Sequence, residues 1–375
     1  MPGCCAAPTC TLPLGLGGSI AQCVPQDEKQ VAPMTTRPEL TGPIKRILVI
    51  NVARIGDTIL AVPVLRALRE AYPQAEIVCL AHPKRVEILQ GLPQIDRSRG
   101  ITKRSAAFMG WFGESYDLAL IFGHELSLLK YALRTARQVI ALPSGNAAVD
   151  RKLFAVVTDE GVVHAVEDRL RWLKPLGLRP SVRCLDYVPS AAEQSWAIAE
   201  RKRLVPTAEP LVGFQIASFP TKAYRNWPGE SFAELARRLL LVHPQAQILI
   251  FGDATDAAAS EALAATCNGR ARSLAGKLAL RQSVAMMQQL DLYIGVDTGP
   301  THLAGALGLP MVALYHCLHP GCYLAPLDHP RFLGVVEHPA AGSDCTPTRA
   351  MAEISVDTVW KQVKAALQGL PEAER

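Results

Sequence analysis

The sequence has no run of 18 or more apolar residues and few charged residues for its length. The missing apolar run excludes a membrane-spanning helix. Charged residues are 19% of the chain, and a net charge of only +5 argues against a nucleic-acid-binding protein. With 375 residues, 49% of them hydrophobic, the chain can form two domains that each have a complete core.

Charge is also missing from the start of the chain, because residues 1–26 contain no Asp, Glu, Lys or Arg. A secretory signal carries a basic segment before its apolar stretch, so no such signal is predicted. Residues 1–43 are rich in Pro, Gly and Cys and have no periodicity, which indicates a disordered leader. Met34 is an alternative start of the protein, and a lipid attached to Cys23 is a further alternative.

The ten cysteines include no CxxC pair, and four of them lie in the first 26 residues. We therefore expect a reducing, cytoplasmic compartment, with neither a disulfide framework nor a zinc site. Cys317, His319 and Cys322 lie close together in sequence, but their spacing matches no standard zinc pattern. No metal and no cofactor are expected.

The positive charge is concentrated in the first half. Residues 44–186 contain 21 Lys and Arg against 14 Asp and Glu, a net charge of +7, which leaves −2 for the rest. Such a half suits an anionic partner or an anionic membrane surface. The alternative is a basic surface with no particular partner.

Aliphatic runs alternate with helical periodicity through the rest of the chain, which predicts parallel sheets covered by helices. The predicted architecture is two doubly wound Rossmann-like domains facing across a cleft. The first domain is residues 44–190, the linker 191–210 and the second domain 211–354, followed by a helix and tail at 355–375. Ligands of such sheets bind beyond the carboxyl ends of the strands.

The first strand runs into the turn of "RILVINVARIGDTIL" (46–60), which lacks the glycines of a dinucleotide loop. It contains only Gly56, followed by Asp57, and the chain has no GxxxxGK[ST] motif. Glu76 lies at the start of the second strand, whereas a ribose-binding carboxylate would lie at its end. The turn thus excludes NAD and P-loop chemistry. Asp57 alone fits a helix N-cap as well as a catalytic base.

A stronger phosphate signal lies in "DLYIGVDTGPTHLAGALGLP" (291–310), where a strand ends at Val296 and a helix is expected to begin near Thr301 or His302. Free N–H groups at a helix start suit a pyrophosphate. Three further features of the segment fit that ligand: hydroxyls that can donate to it, a His in the first turn, and a glycine for close approach. They are Thr298, Thr301, His302 and Gly299. Asp297 is expected to cap the helix or order the loop, pointing away from phosphate.

Other strand-end loops of the second domain offer cations and glycines. Lys222 and Arg225, in "SFPTKAYRNWP" (218–228), can neutralise a diphosphate leaving group. Gly252, Gly276 and Lys277 lie in turns that can border a base or a ribose. Each of these features also fits an ordinary surface loop.

Together these segments resemble the lipopolysaccharide heptosyltransferases, glycosyltransferase family 9. The resemblance rests on the G-D turn, the "KAYRNWP" loop, "SLAGKLALRQSVAMMQQLDLYIGVDTGPTHLAGALGLPMVALY" and "ISVDTVWKQVKAAL", and it covers about residues 44–368. It implies a GT-B fold with the acceptor site in the first domain and the nucleotide-sugar site in the second. It also implies inverting transfer of heptose from ADP-heptose, without a metal, to an anionic lipid-linked saccharide.

The resemblance also assigns residues. Asp57 becomes the general base, with Arg54 and Gly56 on the acceptor side. Arg225, with Lys222 nearby, becomes the cation at the leaving group. The donor loop comprises Asp297, Thr298, Gly299 and His302. The implied setting is the cytoplasm, with peripheral contact to the inner face of the inner membrane and no nucleic acid.

Two segments depart from the family pattern. "YHCLHPGCYLAP" replaces a G-P-T-x-P-like turn, and only Cys345 remains of a cysteine-rich stretch before the last helix. Both affect which sugar or acceptor is used. A nucleotide-sugar epimerase and a non-catalytic nucleotide-sugar binder remain alternatives, as does a family member with another sugar or acceptor.

Overall fold

The computed structural model describes residues 40–110, 113–342 and 345–369. Most of the predicted leader, residues 1–39, lies outside the described residues, as do Cys4, Cys5, Cys10, Cys23 and Met34.

The first domain contains a six-stranded parallel sheet of order β3-β2-β1-β4-β5-β6. Its central strands are rich in Ile, Leu and Val and are buried on both faces, because helices cover both sides. The strands are β1 Arg46–Asn51, β2 Glu76–Ala81, β3 Arg97–Gly100, β4 Tyr116–Phe122, β5 Ala136–Ala141 and β6 Ala155–Val156.

The second domain repeats this pattern with the order β12-β11-β10-β7-β8-β9, again entirely parallel. Its strands are β7 Leu211–Gln215, β8 Gln247–Phe251, β9 Ala271–Ser273, β10 Leu292–Val296, β11 Met311–Tyr315 and β12 Leu333–Glu337. In each sheet the strand order reverses between two central strands, β1 and β4 or β7 and β10. Loops at such a switch point form the ligand crevice of open α/β sheets.

The helices alternate with these strands. In the first domain they are α1 Ile55–Ile59, α2 Val62–Ala71, α3 Lys103–Phe108, α4 Leu126–Thr135, α5 Ala147–Asp150 and α6 Ala165–Leu170. Then come α7 Ala191–Leu204, α8 Gly229–Val242, α9 Ala257–Ala265, α10 Leu280–Met287, α11 Gly299–Ala306, α12 Gly321–Leu324 and α13 Val356–Gln368. Among the described helices, none combines the length and the apolarity that crossing a bilayer requires.

The predicted pair of doubly wound domains is confirmed. The four outermost strands, β3, β6, β9 and β12, were not predicted. β3 reads Arg-Ser-Arg-Gly, with every side chain at least partly exposed. An edge strand of this kind lacks the continuous apolar run by which central strands are recognised.

The two domains meet through apolar side chains. Leu303 and Ala306 of α11 belong to the same buried cluster as the core beneath β1 and α2. The segment predicted as a linker contains α7, which packs on α10, and Ala197 of α7 lies in a core cluster of the second domain.

Candidate active site

Two helix starts meet at the centre of the molecule. α1 follows β1 in the first domain, α11 follows β10 in the second, and the two helices pack against each other. A Cβ added to Gly56 would lie 2.8 Å from His302 Cδ2, and one added to Gly299 would lie 3.4 Å from Ile55 Cβ. Gly56 therefore allows the domains to approach closely, a use that was not predicted for it, whereas a Cβ at Gly299 would make an ordinary van der Waals contact.

Asp57 is the third residue of α1, so the interpretation of it as an N-cap is wrong. Arg54 occupies the N-cap position, and no side chain caps the helix there. The Asp57 carboxylate instead accepts a hydrogen bond from Arg169 Nη2 at 2.7 Å, while its side chain stays 45% exposed. One carboxylate oxygen is thus held by a cation, and the group still faces solvent.

Arg169 is a site residue that the sequence analysis missed. Its guanidinium also donates to the backbone oxygens of Ala165 at 2.7 Å and Asp57 at 3.4 Å. These bonds fix the guanidinium from three directions. Arg169 and Asp57 are 112 residues apart, and no local pattern predicts that a cation on α6 will reach a carboxylate on α1.

Asp297 does not cap α11 but forms a buried ion pair with Arg225. Arg225 Nη1 lies 2.5 Å from Asp297 Oδ2, and the Asp297 side chain is almost completely buried. Burial raises the pKa of the Asp297 carboxyl, and the facing His302 and Arg225 oppose that rise. Arg225 Nε is buried and has no hydrogen-bond partner within the described part of the chain. The pair fixes Arg225 and leaves one donor unused.

His302 is buried beside the same carboxylate. Its Nε2 lies 3.6 Å from Asp297 Oδ1, and its Nδ1 has no hydrogen-bond partner among the described residues. Burial lowers the pKa of His302 despite the neighbouring Asp297, so the ring is uncharged at neutral pH. Two buried polar atoms without partners, in His302 and Arg225, indicate a polar ligand at this position.

These groups line one cavity of about 230 Å³, here named the central cavity. Its walls come from both domains and contain nine of the predicted site residues, together with five that were not predicted. The predicted ones are Arg54, Gly56, Asp57, Lys222, Arg225, Asp297 and His302, and Thr298 and Gly299 complete the donor loop. The additional ones are Leu60, Ser218, Phe219, His319 and Leu324.

A second cavity of about 410 Å³, here named the apolar cavity, adjoins the central one. The two share Ser218, Phe219 and Thr298. Its lining is mainly apolar and includes Gly252 and Gly276. Gly276 has a φ of 69°, and a Cβ there would lie 2.8 Å from Ala254 Cα, so a tight turn explains this glycine. The carboxylates of Asp253 and Asp256 lie at the same wall.

Two predicted site residues are not brought to either cavity. α11 begins at Gly299, two residues earlier than expected, which turns Thr301 into the core. Its hydroxyl donates to Val296 O at 2.5 Å and is almost completely buried. The Lys277 ammonium bonds Glu261 at 2.6 Å on the surface of the domain. The expected ligand contact of Thr301 is therefore wrong, and that of Lys277 stays a prediction.

The expectation of free thiols is wrong for one pair, because Cys317 and Cys345 form a disulfide. Their sulfurs and His316 are also the described group whose spacing could hold a metal ion. His316 uses both ring nitrogens already, one with Arg349 O at 3.0 Å and one with Leu318 N at 3.1 Å. The two sulfurs are thus bonded to each other, and both ring nitrogens of His316 have hydrogen-bond partners in the protein. The earlier grouping around His319 is not formed, since that ring bonds a tyrosine.

Comparison with known proteins places these features in a family. The model of glycosyltransferase family 9 (heptosyltransferase) matches residues 139–329, just over half of the chain. Lipopolysaccharide heptosyltransferase 3 of Escherichia coli is 26% identical, over 69% of this chain and 79% of that protein. Lipopolysaccharide heptosyltransferase 2 of Salmonella typhimurium is 27% identical, over 76% of this chain and 86% of that protein.

Solved structures agree on the fold. A family 9 glycosyl transferase from Veillonella parvula superposes with a TM-score of 0.72 at 22% identity, covering 86% of this chain and 97% of the other. The E. coli ADP-heptose lps heptosyltransferase II gives a TM-score of 0.62 at 21% identity, covering 86% and 98%. The predicted GT-B architecture is confirmed.

Proposed function

The chain belongs to glycosyltransferase family 9, and we propose that it transfers a heptose from ADP-heptose to an anionic, lipid-linked saccharide with inversion at the anomeric carbon. Two relatives carry the names lipopolysaccharide heptosyltransferase 2 and 3, which favours a role in lipopolysaccharide core synthesis. The arrangement that best supports catalysis is the central cavity, where a carboxylate of the first domain faces cations and a helix start of the second.

The nucleoside of the donor fits the apolar cavity. Leu278, Val284 and Met287 offer apolar contacts to a base, and the carboxylates of Asp253 and Asp256 can accept hydrogen bonds from ribose hydroxyls. Since the apolar cavity opens into the central one at Thr298, the diphosphate of the same molecule would lie at the start of α11. Backbone N–H groups and the helix dipole stabilise anions there.

The transfer step needs a base and a stabilised leaving group. Asp57 takes the proton of the acceptor hydroxyl as its oxygen forms a bond to the anomeric carbon. The bond from that carbon to the phosphate oxygen breaks, and ADP leaves with its electron pair. Lys222, Arg225 and the start of α11 stabilise the charge that develops on ADP, a role that other enzymes give to a metal. A single displacement of this kind inverts the anomeric centre.

Base and phosphate site come from different domains, which resolves a conflict of charge. A carboxylate beside a diphosphate would repel it, but Asp57 is paired with Arg169 and belongs to the opposite wall. The other carboxylate of the central cavity, Asp297, is buried against Arg225. The acceptor would enter from the first-domain side, where Arg54 is exposed and can bind an anionic group.

The proposed reaction is tested by incubating the purified protein with ADP-heptose and a lipid A-linked acceptor. We expect ADP and a heptosylated acceptor in equal amounts, and no consumption of ADP-heptose when the acceptor is omitted. An isomerised nucleotide sugar in the absence of acceptor would instead identify an epimerase. ADP binding in calorimetry without any turnover would identify a non-catalytic binder.

A lipid-linked acceptor requires the protein to reach the membrane, and we place this contact on α3, with the protein at the cytoplasmic face of the inner membrane. Phe108 is 84% exposed and Met109 47% exposed, beside the exposed Arg104 and the exposed Lys103, whose ammonium is paired with Glu125. Apolar side chains flanked by cations are typical of surfaces that insert into anionic bilayers. The basic charge of the first half of the chain agrees with this location.

Substitution of both apolar residues, Phe108→Ser with Met109→Ser, should weaken binding to phosphatidylglycerol vesicles at least several-fold while the turnover of a lipid-free acceptor stays unchanged. Flotation with vesicles measures this. Leu241→Ser is the matched control, since Leu241 is 70% exposed on the second domain. Equal losses in the two proteins, or no loss in either, would refute the assignment of this surface.

A further inference from the structure

Three side chains of the second domain form a hydrogen-bonded chain at the wall of the central cavity. Lys222 Nζ donates to Tyr224 Oη at 3.3 Å, and Tyr224 Oη lies 2.9 Å from His319 Nε2. His319 lines the cavity that also contains Asp57 and Arg225. The catalytic step described above uses Lys222 but assigns no role to Tyr224 or His319.

The three groups can share their hydrogens in one ordered arrangement. A lysine ammonium carries only donors, so Tyr224 Oη accepts from Lys222, and its own hydrogen can point at His319 Nε2, which lies 2.9 Å away. In this arrangement His319 Nε2 is the acceptor, and a neutral ring carries its hydrogen on Nδ1. Burial and the positive charges of Arg225 and Lys222 lower the pKa of His319 to about 4, which keeps the ring neutral at pH 7.

The ring system behind His319 is held in place. Tyr224 stacks on His319 with ring centroids 6.2 Å apart, and the edge of His316 contacts Tyr224 at 5.0 Å. His316 is bonded through both nitrogens, and the adjacent Cys317 is linked to Cys345. The direction of His319 Nδ1 is thus set before a ligand arrives, and no hydrogen bond of this atom is found among the residues that the structure describes.

We propose that His319 donates a hydrogen bond through Nδ1–H to a hydroxyl of the transferred sugar, and that Tyr224 is the positioning residue that fixes this tautomer. The proposal rests on the proposed function, because it takes a nucleotide sugar as the ligand. The sugar lies between the leaving diphosphate and the acceptor. Charged groups at Lys222 and Arg225 already serve the diphosphate, whereas a neutral N–H donor suits a hydroxyl.

Two amide variants of His319 distinguish the contribution of Nδ1 from that of Nε2. The amide of Asn places an N–H near the position of Nδ1, whereas the longer Gln places one near Nε2. We expect His319→Asn to keep kcat/KM for ADP-heptose within about threefold, and His319→Gln to lower it about five- to tenfold, the effect of one hydrogen bond to a neutral group. ADP affinity in calorimetry should stay unchanged in both. Equal kcat/KM values for the two variants, or an equal loss of ADP affinity, would refute the sugar contact.

The tautomer itself can be measured without any sugar. In protein with ¹⁵N-labelled histidine, the ring of His319, identified by its absence from the His319→Gln spectrum, should show hydrogen on Nδ1 at pH 7. Tyr224→Phe keeps the stacked ring but removes the hydroxyl, and should shift this ring toward the Nε2–H form. A hydrogen on Nε2 of His319 in the unaltered protein would disprove the proposed role of Tyr224. A wild-type protein with no transfer activity would count against the proposed function alone.

Discussion

Asp57→Asn should lower turnover by about 10²- to 10⁴-fold, the range over which a positioned general base accelerates a reaction. The amide keeps the size of the side chain but cannot accept the proton of the acceptor hydroxyl. ADP affinity should change by no more than a few-fold, because Asp57 lies on the first-domain wall and the nucleotide contacts that we propose lie mainly on the second. Single-turnover assays measure the rate, and calorimetry measures ADP binding.

Arg169 provides the control for this prediction, since the Asp57–Arg169 pair could serve stability alone. Arg169→Gln leaves the base present but removes the charged partner that orients it, so we expect a smaller loss of rate than in Asp57→Asn. If the pair were only structural, both variants would lose activity in proportion to their loss of thermal stability. Near-normal turnover of a stably folded Asp57→Asn protein would rule out the base assignment.

The fold was predictable because its central strands are recognisable in the sequence as continuous aliphatic runs. β1 and β10 are buried on both faces, and in β1 the polar side chains lie only at the two ends of an aliphatic run. β3 and β6 were missed because an edge strand needs neither length nor apolarity. The periodicity of apolar residues reflects the burial of each strand face. Strands at the edge of a sheet are partly exposed, so their sequences do not show this periodicity.

The candidate site was predictable only where one short segment carries the information. The segment that contains Thr298 and Gly299 is of this kind, because strand, turn and helix follow one another in sequence, although the helix begins two residues earlier than expected. The ion-pair partners of the charged groups could not be predicted in this way, because Arg225 and Asp297 lie 72 residues apart in sequence. Thr301 failed for another reason, since a shift of two residues in the helix start rotates a side chain by about half a turn.

Arg225→Gln should weaken ADP binding and also slow transfer, each by one to two orders of magnitude, about 1.5–3 kcal/mol for a charged hydrogen-bond donor facing the diphosphate. The same change leaves the buried Asp297 carboxylate without its cation, which by itself costs about 3–5 kcal/mol of folding free energy. A loss of binding in this variant alone could thus come from a disturbed loop. Arg237→Gln is the control for loss of an exposed arginine in the same domain.

The double variant Arg225→Gln with Asp297→Asn separates the two effects. Two amides can hydrogen-bond where the ion pair stood, so no buried charge lacks a partner and the free energy of unfolding should recover most of the loss. The cation that faces the diphosphate is still missing, and ADP affinity and turnover should therefore stay low. Chemical denaturation and calorimetry on the same preparations measure both quantities. Recovery of ADP affinity together with stability would mean that Arg225 serves only to neutralise Asp297, and that Lys222 and the start of α11 bind the diphosphate without it.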